Sequence, residues 1–403
     1  MVTGKASVLR SVNRGVVLGL IRAMQPISRS QIAKLSGLNP STVSDVASGL
    51  LREELIYEKT AEGSGLGRTP VDLYLKCDSH YVGAMEIRAS VSRVAIANIC
   101  GKVKSHSSLP TNHASPAQTL SRCAEELLAL SDSVGVDRPR TIGVSISGVV
   151  DPNKARLITA PSLQWENVSV GELLREKIPL LENVVVGDAV KASALAEMLF
   201  GNRVTDTSNF VFLSIGKSVG AGIIIDGRIV IGDHCVSGEL SHMAIYEEGL
   251  TCECGVQGCW EAYISDRAVS RRYMTAIGGE FGSGSDVGIS EIVLRASKGD
   301  AVANLVIKQT GHYIGVGVAA IIRTVDPKCV VIDGSIADAW DLVYPEIMKA
   351  LDERPLPVKG KFVDVFPASE ANREYLKGAV ALALQGVFND YKIMNANPWK
   401  ELR

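Results

Sequence analysis

Three cysteines, Cys252, Cys254 and Cys259, fall within eight residues of one another, and the first lies ten residues after His242. Three thiolates and one imidazole make a closed tetrahedral set of the kind that holds zinc. Four protein ligands leave no open position, so the expected ion is structural rather than hydrolytic. Glycines at 255 and 258 let the chain fold around a single ion. Glu239 and Glu261 flank the set, and with the far nitrogen of His242 they form a polar group suited to a neutral, hydroxyl-rich ligand such as a sugar. A second constellation is Val184-Val185-Val186-Gly187-Asp188, an apolar run that closes on a carboxylate. At a strand's C-terminal end, where α/β proteins place ligand groups, Asp188 is either a general base toward a sugar hydroxyl or the N-cap of the next helix. A third is the run from Ser214 to Gly222, SIGKSVGAG. Its glycines permit positive φ and close approach of a ligand to backbone amides, yet their spacing is neither that of a Walker A loop nor that of a dinucleotide fingerprint. A plain hairpin turn accounts for it equally.

These groups need a scaffold, and the pattern from Tyr81 onward supplies one. Val82–Ile87, Val94–Ile99, Ile142–Ile146, Val184–Val186, Phe210–Ile215 and Gly222–Ile225 read as strands. Leu120–Leu130, Val190–Phe200 and Leu305–Val325 read as helices, so the body is an α/β protein. No short-period repeat is visible. Gly278–Gly288 reads as a surface loop.

Residues 1–76 are different in kind. Val12, Val16, Leu20 and Ala23 mark one face of a first helix. Ser28 with Gln31 three residues on is a capping box that starts a second helix, which Gly37 stops. Asn39-Pro40 starts a third, with Asn as N-cap and Pro at the first helical position. Val43, Val46, Leu50 and Leu51 form its buried stripe. Leu55–Glu58 and Val71–Leu75 then read as two strands around the Gly-rich turn 62–68. That order is a winged helix-turn-helix. Its candidate DNA contacts are Ser28, Arg29, Gln31, Ser41, Thr42, Ser44 and Asp45, with Arg68 on the wing placed to enter a narrow minor groove. The exposed face of the third helix is short and hydroxylic, without the Arg or Lys that most often reads guanine.

Composition bounds the remainder. The 403 residues carry a net charge of −2, but residues 1–76 hold ten Lys and Arg against six Asp and Glu, a net +4. A basic head on a weakly acidic body suits an anionic partner for the head. No apolar run reaches the roughly 18–20 residues of a membrane helix, and no secretory signal is evident. Eight cysteines are too sparse for a disulfide framework and point to a reducing, cytoplasmic setting.

Taken together, the Gly-rich strand-turn-strand, the Gly-Glu-x-x-His element at 238–242 and the Cys-x-Cys-Gly-x-x-Gly-Cys-x-Glu element at 252–261 resemble the ROK family of repressors, open reading frames and kinases. The resemblance runs along essentially the whole chain. The head and the Gly67-Arg68-Thr69-Pro70 junction are similar to the regulator branch. It implies a winged-helix domain at 1–76 and a two-lobed, actin-like or hexokinase-like ROK domain at 77–403. Lobe one would span about 77–190 plus a C-terminal helix, and lobe two about 191–380. It further implies zinc on His242, Cys252, Cys254 and Cys259, and a sugar or sugar phosphate held by Glu239, His242, Glu261, Asp188, Gly148 and Ser162. In the kinase branch an acidic residue precedes a Gly-Gly-Thr phosphate loop; here the chain reads Glu86-Ile87-Arg88-Ala89-Ser90. A second family glycine pair reads Asp333-Gly334-Ser335, and a Pro-Asn-Leu sugar contact reads Pro161-Ser162-Leu163. The expectation is therefore a non-catalytic, sugar-responsive repressor, a homodimer or dimer of dimers on operator DNA, with no membrane partner. The alternative is an ATP-dependent sugar kinase with a DNA-binding head and Asp188 as its base.

Overall fold

The computed structural model describes residues 3–60, 71–204, 207–354, 363–369 and 376–388. The chain divides into two units, residues 1–196 with 374–403, and residues 197–373.

Unit one opens with α1 (Thr3–Met24), β1 (Ile27–Ser28), α2 (Arg29–Ser36), α3 (Pro40–Arg52), β2 (Ile56–Thr60) and β3 (Val71–Leu75). The capping box forms as expected: the Ser28 hydroxyl accepts from the Gln31 amide, and the Gln31 side chain accepts from the Ser28 amide. Gly37 adopts the left-handed conformation that ends α2. Asn39 makes no side-chain cap bond, and Pro40 alone sets the start of α3. Two stripes also shift. In α1 the buried larger apolar side chains among the described residues are Val17, Leu18, Leu20 and Ile21, while Val12 and Val16 are half-buried and Ala23 is exposed. In α3 Ala47 is buried and Val46 is only half-buried. The reason is that α1 packs against α2, α3, β3 and the C-terminal helix, so its apolar surface is wider than one stripe. Replacing Ser28 with alanine should cost about 1 kcal/mol of α2 stability, read as about fivefold faster amide exchange at Gln31–Ser36.

The chain continues through β4 (Tyr81–Ile87), β5 (Val91–Asn98), β6 (Val103–Pro110), α4 (Pro116–Ser133), β7 (Thr141–Ile146), β8 (Val149–Asp151), β9 (Arg156–Ala160), β10 (Trp165–Val168), α5 (Val170–Lys177), β11 (Asn183–Asp188) and α6 (Ala189–Phe200). The main sheet runs β11-β7-β4-β5-β6, with β4, β7 and β11 parallel and β4-β5-β6 an antiparallel meander.

Unit two holds β12 (Phe210–Ile215), β13 (Val219–Ile225), β14 (Arg228–Ile229), α7 (Glu261–Ile264), α8 (Asp266–Ala276), α9 (Ile289–Ser297), α10 (Ala301–Val325), β15 (Cys329–Asp333), α11 (Trp340–Asp352) and β16 (Asp364–Pro367). The chain then returns to unit one as α12 (Lys377–Phe388), which packs on β7, β4 and β11. The sheet of unit two runs β14-β13-β12-β15-β16, again an antiparallel meander followed by two parallel strands. Both units therefore share one sheet topology, a long-range duplication that a search for short periods does not reveal.

Two expectations need correction. α10 is 25 residues long with an 18-residue window of mean hydropathy 1.3, so by length and composition it could cross a membrane. Most of that window is buried inside unit two, where Ile314, Val318, Ile321 and Ile322 join the core. Asn304, Lys308, Gln309, Thr310 and His312 interrupt its apolar residues, so the sequence shows no unbroken run where the helix shows an apolar average. A disulfide also joins Cys77 to Cys100, with Cα atoms 5.2 Å apart, whereas the cysteine count pointed to reduced thiols throughout.

Candidate functional site

His242, Cys252, Cys254 and Cys259 come together as their spacing predicts: one ligand atom from each lies within 4.8 Å of all the others. Cys252 Sγ is 3.8 Å from His242 Nδ1, and Cys254 Sγ is 3.6 Å from Cys259 Sγ. A tetrahedron with metal–sulfur bonds of about 2.3 Å has edges of about 3.8 Å, so the donors already stand where one ion could bind them all. The backbone explains why. Cys252 N donates to Val256 O and Gly255 N to Cys252 O, which closes a tight knuckle. Gly258 has φ +78, and a Cβ there would lie 1.6 Å from the Tyr246 carbonyl oxygen, so only glycine lets the two segments meet. The next residues anchor the knuckle to the core. Trp260 is fully buried, donates from Nε1 to Tyr313 O at 2.8 Å, and lies against Gly317 of α10, where a Cβ would be 2.1 Å from its ring.

Burial pushes the Cys259 thiol up to about 12 and raises that of Cys252, while the Val256 amide lowers that of Cys254. In the ion-free state the two buried sulfurs hold their protons. A cation must displace them, so metal affinity rises with pH.

Because Nδ1 of His242 faces the sulfurs, Nε2 lies on the opposite side of the ring. Glu239 and His242 are exposed. Between them the Ser241 hydroxyl is buried, with Oγ lacking a partner. Glu261 opens α7 and is held by the Val219 amide, which donates to Oε2 at 2.9 Å. The SIGKSVGAG run resolves into a hairpin: Ile215 pairs with Val219 across Gly216-Lys217-Ser218. Gly216, Gly220 and Gly222 all keep negative φ, so the positive-φ reading of that loop fails and β13 simply extends through it.

Two residues that the sequence reading missed lie here. Lys217, at the tip of that hairpin, lines a cavity of about 240 Å³ together with Glu261, Arg267 and Arg271. Asp266, at the start of α8, has Oδ1 buried without a partner, and burial pushes its carboxyl up to about 6. Its only visible signal was Ser265-Asp266, which reads as an ordinary helix start, and Ser265 does cap α8. The folded state therefore holds the Asp266 proton between about pH 4 and 6, where the unfolded chain has released it. Above pH 6 ionised Asp266 destabilises the fold. Asp266→Asn should raise the melting temperature at pH 7.5, and the gain should shrink through pH 6 and vanish near pH 4.

Unit one carries the other predicted sugar contacts. Ile87, Ile146 and Asp188 end three adjacent parallel strands in register. The Asp188 carboxylate accepts from the Val190 and Lys191 amides at 3.0 Å each, so the capping role is real, and burial raises its pKa. Gly148 follows β7 closely, and a Cβ there would meet Thr159 O at 2.4 Å. Ser162 is exposed on the turn after β9. At the β4–β5 turn Glu86 is buried and ion-paired to both Arg88 at 2.7 Å and Arg93 at 3.0 Å. Thr111 donates to Arg88 O, and His113 Nε2 lies on Ala89 O, so side chains occupy the turn from both sides. Arg93 was missed because its pairing with Glu86 follows from cross-strand register, not from local sequence.

In the head the predicted contacts divide. Ser28 and Gln31 spend their side chains on the capping box, and Arg29 is ion-paired to Glu58 of β2. On α3 Ser41 and Asp45 are exposed, with Thr42 and Ser44 half-buried beside them. Arg68 lies outside the described residues.

Comparison with known proteins gives this arrangement its context. The sequence model of the ROK family matches residues 82–386. The xylose repressor of Caldicellulosiruptor bescii is 25% identical over 401 residues, covering 96% of this chain and 98% of the repressor. The DNA-binding transcriptional dual regulator NagC of Escherichia coli K12 is 28% identical over 394 residues, covering 96% and 95%. A crystal structure of a ROK family transcriptional regulator, described as a homolog of the E. coli MLC protein, superposes with a TM-score of 0.84 at 28% identity, covering 94% of this chain and 97% of that one.

Proposed function

The chain belongs to the ROK family, and on that premise we propose that it is a sugar-responsive, DNA-binding transcriptional repressor of carbohydrate-utilisation genes. The observation that carries this is coverage. The family model begins at residue 82, yet similarity to two sugar-linked regulators takes in 96% of the chain, too much for the basic head to be left out. In this reading residues 1–76 are a winged helix-turn-helix whose α3 enters the major groove, with Ser41, Thr42, Ser44 and Asp45 toward the duplex and Arg68 on the wing. Ser28, Arg29 and Gln31 position α2 across the backbone. Two heads on a homodimer, or on a dimer of dimers, read paired half-sites in the cytoplasm.

The cation of the Cys₃His cluster is zinc, by the softness of its donors and their tetrahedral spacing. Its service is to hold His242 with Nε2 turned outward and to fix the chain from Glu239 to Glu261. Those three residues, with Asp188, Gly148 and Ser162, are the proposed contacts of the sugar or sugar-phosphate effector. Effector binding shifts the DNA-competent population by its difference in affinity for the two states, typically about 1–3 kcal/mol.

The protein is not an enzyme in this reading, because Arg88 and Ala89 stand where a phosphate would need bare backbone amides and Glu86 is neutralised by two guanidinium groups. A thermal-shift screen of sugars and sugar phosphates, repeated on DNA selected by the protein from a random duplex library, tests the proposal. The effector should raise the melting temperature in a concentration-dependent way and release the DNA. Steady ADP formation from ATP, magnesium and a hexose, lost in Asp188→Asn, would establish the kinase instead.

A further inference from the structure

The joint between the head and the main sheet of unit one carries a bond that the proposed function does not use. Cys77 stands two residues after the end of β3, and its disulfide partner Cys100 sits in the turn between β5 and β6. Both are half-buried, so a reagent in solution can reach them. Around them the chain is held by polar contacts. Asp78 accepts from Asn98 Nδ2 at 2.8 Å and is ion-paired to Lys104 at 3.0 Å, and Ile99 N donates to His80 O. Asp78 and His80 themselves are exposed, although Asn98 and Ile99 opposite them are buried. Asp78 and His80 line a cavity of about 720 Å³ whose walls include Arg14 and Glu53 of the head and Arg140 and Glu182, the residues just before β7 and β11. The bridge lies beside that cavity and adds a covalent tie three residues before the backbone bond from Ile99 to His80, on the side of the head.

The other six cysteines form no disulfide, and three of them belong to the cluster with His242, which binds a cation only as thiolates. A chain that keeps three thiols reduced for a metal works where thiols are reduced, and there a disulfide is usually transient and redox-sensing. We propose that Cys77–Cys100 is a thiol–disulfide exchange site whose substrate is a dithiol reductant, and that its state sets how firmly the head is tied to the sheet and so its affinity for DNA. In the forward step a thiolate of the dithiol attacks one bridge sulfur and the other cysteine leaves as a thiolate that takes a proton. The reagent's second thiol then breaks the mixed disulfide, forms the reagent's own disulfide, and frees the second cysteine. Two electrons and two protons have passed to the chain. The oxidised dithiol runs the reverse step.

The regulatory half rests on the DNA-binding reading of the head; the exchange site does not. The test poises the full-length protein in mixtures of reduced and oxidised dithiothreitol, alkylates free thiols, and maps Cys77 and Cys100 by mass spectrometry while measuring affinity for the selected duplex. The expected result is a titrating bridge, metal retained throughout, and at least about a fivefold difference in DNA affinity between the two forms. Cys77→Ser and Cys100→Ser should each fix the reduced-form affinity and ignore the mixture. Cysteines that stay alkylatable in fully oxidised reagent, or a bridge that never opens, overturn the exchange site. Affinities within twofold overturn the regulatory half, and absence of DNA binding in both forms overturns it together with the repressor reading, while the thiol map still decides the chemistry.

Discussion

Cys259→Ala should lower bound zinc, measured by elemental analysis of the purified protein, from one ion per chain to less than about a tenth. Its sulfur is fully buried beside that of Cys254, and no other described His, Cys, Asp or Glu joins the group to replace it. Zinc in small finger domains contributes about 10–16 kcal/mol of folding free energy, so losing one of four ligands leaves the site without useful affinity at ordinary zinc concentrations. The damage should stay local. Trp260 still anchors the chain to α10, so the core of unit two persists, while the 239–261 segment loses the tie that orients His242. Sugar-induced stabilisation should therefore disappear even where the variant folds. Cys329→Ala is the control: Cys329 is another buried, free cysteine of unit two, outside the cluster, and its variant should keep the metal. Acidification should reproduce the loss in the wild type, because protons return first to the two sulfurs whose pKa burial raises, Cys252 and Cys259.

The Cys/His knuckle was legible because its donors are close in sequence: three sulfurs and two glycines within eight residues, and His242 ten residues before them. The capping box at Ser28 and the turn at Gly37 were legible for the same reason. What escaped is set by pairing between distant segments. Glu86 and Arg88 stand two residues apart in the sequence, but the second partner, Arg93, comes opposite Glu86 only through the antiparallel register of β4 and β5. Asp266 reads as a helix start until burial strands one of its oxygens. The Cys77–Cys100 bridge cannot be deduced from a count of eight cysteines, because the antiparallel pairing of β4 and β5 must first bring residue 100 back to residue 77. The common topology of the two sheets has no counterpart in any short repeat, since it is a match of strand order and not of residues.

Ser41→Glu should weaken binding to the selected duplex by about 10- to 100-fold while leaving the head as stable as before or slightly more so. The two effects have opposite signs because one carboxylate meets two different fields. Ser41 is exposed in the first turn of α3, directly after Pro40. There a negative charge interacts favourably with the helix N-terminus, worth about 0.3–1 kcal/mol. In the proposed reading the same N-terminus is the end of a recognition helix that approaches bases and phosphates, where a carboxylate would displace a hydroxyl contact and repel the duplex. A lost contact of about 1–3 kcal/mol accounts for the expected range. Folding is protected because Val43, Ala47 and Leu50, on the opposite side of α3, keep their burial. Salt separates the causes: repulsion is screened, so the gap between variant and wild type should narrow as ionic strength rises, whereas a misfolded head would bind poorly at every salt concentration. Effector affinity, measured on the same preparation by thermal shift, should be unchanged. A Ser41→Glu protein that binds DNA like the wild type would take α3 out of the groove.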